Sequence, residues 1–237
     1  MEKVTLAVLG RMKREGRKIV AVVAWDYPMA QIAERTGVEL VSVGDSVGVN
    51  LWGQRPQEVT LEEMLVVCKA VRRGVRRALV SCDLPPKAIT EENAKRLVGE
   101  GGADLVKIEG SPAEVQALSR AGIPVFAEIH GGGENAVVHA QALEAAGAVL
   151  LDFRHSGEKD GAAVAAAVSI PVLGGLGGGP WLDGRLRMAH AAIGYAAANV
   201  DADAGSYANV ARISLQALGE YAADVRAGRA LKGQRPA

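Results

Sequence analysis

Short runs of aliphatic and β-branched residues alternate along the chain with longer stretches in which apolar residues return every three or four positions. The first pattern predicts buried strands, the second amphipathic helices packed against them. Strand-like runs fall at 18–25, 40–44, 78–82, 103–108, 123–129, 148–153 and 170–173. Start and stop signals mark the helices between them. Pro28 sits where a helix loses nothing by its missing N–H, and Gly37 closes that helix. Thr60-Leu-Glu-Glu63 is a capping box that opens a helix to residue 74, and Thr90 and Ser111-Pro112 open two more. Residues 134–146 and 157–168 carry helical spacing, as do residues 4–15, which we place across the floor of the fold. Past residue 173 comes a glycine-rich loop, Gly174-Gly-Leu-Gly-Gly-Gly179. It leads to a predicted helix over 182–193, a weak eighth strand over 194–198 and a long terminal helix over 207–227.

Strand–helix units repeating every ~20–30 residues define a parallel α/β domain. An open doubly wound sheet would gather its functional groups at one switch point. Here polar groups end strand after strand: Asp45 and Ser46, Asp83, Lys107 with Glu109, and Asp152. Such placement builds a site at the mouth of a (β/α)8 TIM barrel, whose usual length of ~250 residues matches the 237 of this chain. The expectation is therefore one barrel domain over 1–237, with an N-terminal helix and a long C-terminal helix.

Composition narrows the class without naming the chemistry. A formal net charge of zero removes the concentrated basic face that nucleic-acid binding needs. The one dense basic cluster, Lys69 to Arg77, reads as the solvated end of a helix. No run approaches the ~20 apolar residues of a membrane span, and no signal-peptide core opens the chain. Cys68 and Cys82 lie in apolar runs and read as buried free thiols of a reducing compartment. These features set the expectation of a soluble, cytoplasmic, globular protein and leave its activity open.

Asp45, Asp83 and Glu109 at the ends of adjacent strands would repel one another unless a cation sat among them. An oxygen-rich set with open positions suits Mg²⁺ or Mn²⁺. The competing reading is that one or two of them cap helices or pair with arginines. Lys107 lies two residues before Glu109, on the same face of a continuing strand, and suits electrostatic duty toward a substrate carboxylate or a developing enolate. Ser46 could donate a hydrogen bond to the same substrate.

Several stretches carry a specific resemblance. They are Trp25-Asp-Tyr-Pro28, Val43-Gly-Asp-Ser46-Val-Gly48, Val59-Thr-Leu-Glu-Glu-Met64, Asp83-Leu-Pro85, Val106-Lys-Ile-Glu-Gly110 and Gly122-Ile-Pro-Val125. Ile170-Pro-Val-Leu-Gly174, Asp183-Gly184 and Tyr221-Ala-Ala-Asp-Val-Arg-Ala-Gly228 continue it to the end. The chain resembles the ketopantoate hydroxymethyltransferase (3-methyl-2-oxobutanoate hydroxymethyltransferase) family, of the phosphoenolpyruvate mutase and isocitrate lyase superfamily. The resemblance implies Mg²⁺ on Asp45 and Asp83 with Glu109 in its shell, and a 2-oxo acid on Ser46 and Lys107. It implies a one-carbon unit from methylene-tetrahydrofolate, a homo-oligomer (commonly a decamer) and a site in pantothenate biosynthesis.

The departures bear on the proton-transfer side. Where the family has Gly-His-Leu/Ile-Gly, this chain has Ala127-Glu128-Ile129-His130. The family's long following loop is reduced to Gly131-Gly-Gly-Glu-Asn135. The family's strand-six glutamate base aligns with Asp152, shorter by a methylene, and a ~1 Å displacement of a base can cost ~10²-fold. Asp152, Glu128 and His130 are therefore the candidate proton movers. The departures point to a divergent 2-oxo-acid aldolase, lyase or decarboxylase as well as to hydroxymethyl transfer, and third to a non-catalytic metabolite-binding scaffold. A phosphate-directed enzyme is a separate alternative, resting on the 174–179 glycines ahead of a helix.

Overall fold

β1 (Ile19–Val23) lies parallel to β2 (Leu40–Val43), with Val22 opposite Val41. The parallel ladder continues through β3 (Leu79–Asp83), β4 (Leu105–Ile108), β5 (Val125–His130), β6 (Ala148–Arg154), β7 (Val172–Gly174) and β8 (Gly184–Met188). The eight strands close into a barrel in sequence order. This is a (β/α)8 TIM barrel, seen in a computed structural model that describes residues 3–130, 135–175, 177–202 and 205–233. Leu40, Val80, Leu105, Val125, Leu150 and Val172 are fully buried, as continuous apolar runs in a sheet covered on both sides require.

The helices begin where their caps place them. α1 (Leu6–Arg14), α2 (Tyr27–Thr36) and α4 (Glu91–Gly99) are capped by Thr5, Asp26 and Thr90. α3 (Leu61–Gly74) has the expected box: Glu63 N–H donates to Thr60 Oγ1 at 3.3 Å, and Glu63 Oε2 accepts from Thr60 N–H at 2.8 Å. α5 (Pro112–Arg120) has the same arrangement through Ser111 and Glu114, and α2 ends on Gly37 at φ 84°. α6 (Ala136–Ala145) and α7 (Glu158–Ala167) complete the ring. The predicted start of α6 at Glu134 and the rest of the 131–134 loop lie outside the described residues, as does Leu176.

Lys13 of α1 donates to Ala165 O at 2.7 Å and to Asp183 Oδ2 at 2.8 Å. The same Asp183 oxygen accepts from Val172 N–H, and Asp183 O accepts from Ile19 N–H at 2.9 Å. Asp183 thus joins α1, β7 and β1 at the barrel's amino-terminal end. This corrects the predicted 182–193 helix and the weak strand over 194–198. Residues Gly184–Met188 form β8, helix resumes only over α8 (Ala189–Ala192), and residues 197–200 make a 3₁₀ turn.

The chain divides into two units, Met1–Arg187 and Met188–Ala237. The first holds the barrel. In the second, α8 and the 3₁₀ turn Ala197–Val200 precede α9 (Val210–Arg226), a shorter terminal helix than the predicted 207–227. Asn209 caps α9 through Arg212 N–H and donates to Asn199 O at 2.7 Å. No described helix is long and apolar enough to cross a membrane. Cys68 and Cys82 are both buried and free.

Candidate active site

Asp45 and Asp83 meet at the carboxyl ends of β2 and β3. Asp45 N–H donates to Asp83 Oδ2 at 3.3 Å, and Trp25 Nε1 fixes the preceding turn by donating to Gly44 O at 2.9 Å. Asp83 Oδ1 is buried and has no hydrogen-bond partner among the described residues. Burial raises the Asp83 carboxyl to about 7; Lys107 opposes the rise, and the Asp45 and Glu128 charges add to it. Burial likewise raises the Asp45 carboxyl, again against Lys107 and with Glu128. Ser46 follows in the same turn, half-buried, with its carbonyl accepting from Asn50.

Lys107 is the centre of the mouth. Its Nζ lies 2.5 Å from Glu128 Oε2, 3.1 Å from Asp152 Oδ2 and 3.9 Å from Asp83 Oδ2. It also stands 5.7 Å above the centroid of the Phe126 ring, a favourable place for a cation. Burial works against its charge, but the Asp83, Asp152 and Glu128 carboxylates prevail and hold the ammonium above its ordinary range. Asp152, 2% exposed, also accepts from Gly175 N–H at 3.0 Å.

The remaining predicted residues form the rim. β5 and β6 set Glu128 opposite Asp152 and His130 opposite Arg154. Glu128 Oε1 lies 2.6 Å from His130 Nε2 and accepts from Arg154 Nη1 at 2.6 Å. Burial alone would raise the Glu128 carboxyl, but Lys107 and then Arg154 hold it below its ordinary range. Glu109 is exposed and reaches His130 Nε2 at 3.3 Å. Glu109, Glu128 and His130 offer ligand atoms within 4.8 Å of one another, whereas Asp45 and Asp83 are joined through the Asp45 N–H, apart from Glu109.

Arg154 is the residue that sequence reasoning missed. Its signal was its place two residues beyond Asp152, which puts both on one face of β6. The glycine loop after β7 also reads differently in three dimensions. It leads into a strand, so the helix on which the phosphate alternative rested is absent from that position. The glycines serve close packing. A Cβ on Gly174 would stand 3.0 Å from Gly178 Cα, and one on Gly177, at φ 74°, 3.0 Å from His155 Cα. Arg185 donates to the carbonyls of Gly175 and Gly178, and Trp181 Nε1 donates to Ser156 Oγ at 3.2 Å.

A closed parallel barrel with buried acids and a lysine at the carboxyl ends of β2 to β6 is the layout of a (β/α)8-barrel enzyme. The sequence profile of ketopantoate hydroxymethyltransferase matches residues 3–133 and 130–230. The chain is 34% identical to the 3-methyl-2-oxobutanoate hydroxymethyltransferase of Geobacillus kaustophilus (strain HTA426), over 91% of this chain and 87% of that protein. It is 35% identical to the enzyme of the same name from Moorella thermoacetica (strain ATCC 39073 / JCM 9320), over 96% and 95%. The chain belongs to the ketopantoate hydroxymethyltransferase family. Its fold is also that of 2,3-dimethylmalate lyase, a PEP mutase/isocitrate lyase superfamily member, with TM-score 0.64 and 14% identity over 98% of this chain and 91% of that one.

Proposed function

We propose that this protein is a divalent-metal-dependent enzyme that deprotonates a bound 2-oxo acid beside its keto group and joins a hydroxymethyl unit to the resulting enolate. The acceptor is 3-methyl-2-oxobutanoate, the one-carbon donor is methylene-tetrahydrofolate, water supplies the hydroxyl oxygen, and the products are ketopantoate and tetrahydrofolate. One observation carries the reading: Asp83 keeps a buried oxygen without a partner among the described residues, beside Asp45 in a mouth crowded with carboxylates. A hard dication fits that donor set, since it would take up the idle oxygen and offset the burial that, with the Asp45 and Glu128 charges adding, lifts Asp83 to about 7.

Asp45 and Asp83 would hold Mg²⁺ (or Mn²⁺), with Glu109 nearby on the rim. When bound, the metal supplies the positive charge that makes the C3–H of a 2-oxo acid acidic. Asp152, anchored by Gly175 N–H and Lys107, receives the C3 proton. Lys107 stabilises negative charge developing on the substrate oxygen, and Ser46 donates to the substrate. Glu128, held ionised between Lys107 and Arg154, orients that lysine, and His130 beside it exchanges protons at the rim. By family membership the enzyme works in the cytoplasm as a homo-oligomer, with the decamer as the expected assembly.

Glu128 favours a second reading, a divergent aldolase, lyase or decarboxylase. A carboxylate bonded to both mouth cations changes the charge presented to the electrophile. Incubation with Mg²⁺, 3-methyl-2-oxobutanoate and methylene-tetrahydrofolate separates the two. Ketopantoate forming at steady turnover supports hydroxymethyl transfer; C3 proton exchange without ketopantoate supports the second reading.

A further inference from the structure

The Lys107 ammonium has three N–H donors, and three carboxylates face it: Glu128 at 2.5 Å, Asp152 at 3.1 Å and Asp83 at 3.9 Å. A substrate carboxylate reaching this lysine would have to displace one of them. Arg154 is placed differently. Of the five donors on a guanidinium, one on Nη1 is spent on Glu128 Oε1 at 2.6 Å, and no other hydrogen bond joins this side chain to the described residues. Its side chain is 33% exposed, against 8% for Lys107, so its unspent donors remain accessible while Nη1 is anchored on Glu128. Glu128 bridges the two cations, with Oε2 on Lys107 and Oε1 on Arg154, so Arg154 stands beside the mouth lysine and shares only Glu128 of its three carboxylates. A guanidinium edge also offers the paired geometry that a planar carboxylate takes up best.

We propose that Arg154 binds the carboxylate of the 2-oxo acid directly and is a specificity-determining residue of the site. This rests on the reading of the mouth as a 2-oxo-acid site, and it moves the carboxylate contact away from Ser46 and Lys107, the pair on which the family resemblance placed the 2-oxo acid. Lys107 then serves the keto oxygen and the buried acids alone.

The test varies the ligand as well as the protein. Binding of 3-methyl-2-oxobutanoate and of its uncharged amide, 3-methyl-2-oxobutanamide, is measured by calorimetry with Mg²⁺ for wild type, Arg154→Gln and Arg154→Lys. Losing a charge-assisted contact weakens the acid by ~10- to 100-fold in Arg154→Gln, with Arg154→Lys between. The amide binds Arg154→Gln and wild type within about threefold of each other. A merely structural role for Arg154 would weaken both ligands together, and that result overturns the proposal. So does an acid affinity indifferent to the substitution. C3 proton exchange by wild type, followed in parallel, separates this inference from the enolate reading. Exchange with no acid-specific effect of Arg154→Gln overturns only the role of Arg154. An acid-specific effect in a wild type that exchanges nothing supports Arg154 as the carboxylate contact and overturns the enolate chemistry.

Discussion

Lys107 Nζ and Glu128 Oε2 stand 2.5 Å apart at the ends of β4 and β5, each residue 7% exposed. A buried ion pair loses far more when one partner is removed than when both are, because the remaining charge is left without compensation. Lys107→Met strands Glu128, Asp152 and Asp83 together, so it is expected to cost about 3–5 kcal/mol and lower the melting temperature by ~6–20 °C. The double variant Lys107→Met/Glu128→Gln should melt above Lys107→Met alone. Thermal melts of the four proteins in the cycle check this, and strict additivity would show that the pair is not coupled.

Proton competition at Asp83 gives metal binding a defined pH dependence. Burial lifts this carboxyl to about 7, and a dication binds only its ionised form. Affinity for Mg²⁺ should therefore rise as pH climbs toward about 7 and level off above it, with up to ~tenfold lost per pH unit below. Calorimetric titration with Mg²⁺ between pH 5.5 and 8.5 reads this directly. A flat affinity across the range would place the metal elsewhere.

Asp152→Asn separates proton transfer from binding. The substitution keeps the shape of a side chain that is 2% exposed and held by Gly175 N–H. Turnover should fall by ~10²- to 10⁴-fold while affinity for the 2-oxo acid changes only a few-fold. Steady-state kinetics paired with ligand-induced thermal stabilisation checks both halves. Retained turnover would move the base to Glu128 or His130.

Two glycine substitutions should act in opposite directions. A Cβ on Gly184 would stand 2.2 Å from Ile19 O, where β8 closes against β1, so Gly184→Ala should cost ~1–3 kcal/mol or more. Gly99, at the end of α4, has nothing within 4 Å of the added carbon, so Gly99→Ala should stabilise by ~0.4–1 kcal/mol. Urea denaturation of both variants measures the contrast.

The sequence made seven strands legible because each is a mainly apolar run of the kind a doubly covered strand carries, with charges only toward its carboxyl end, as in β4 and β5. The eighth was not, for a definite reason. Leu182, Leu186, Ala189 and Ile193 recur at helical spacing, and Gly184 to Met188 also alternates as a strand does. Local pattern left both states open, and the Asp183 bonds to Val172, Lys13 and Ile19 decided between them. In the same way Asp45, Asp83, Lys107 and Asp152 could be read from strand ends. The spacing of Arg154 from Asp152 placed it on the same face, but its link to Glu128 was not legible, because that depends on the register between β5 and β6.

The most direct measurement is deuterium uptake at C3 of 3-methyl-2-oxobutanoate in D₂O, followed by proton NMR without folate. Wild type with Mg²⁺ should exchange this proton, and chelation of the metal, Asp45→Asn or Asp83→Asn should each stop the exchange. Exchange that continues unchanged after chelation and in both variants would contradict the central claim, that these two carboxylates hold the cation on which deprotonation depends.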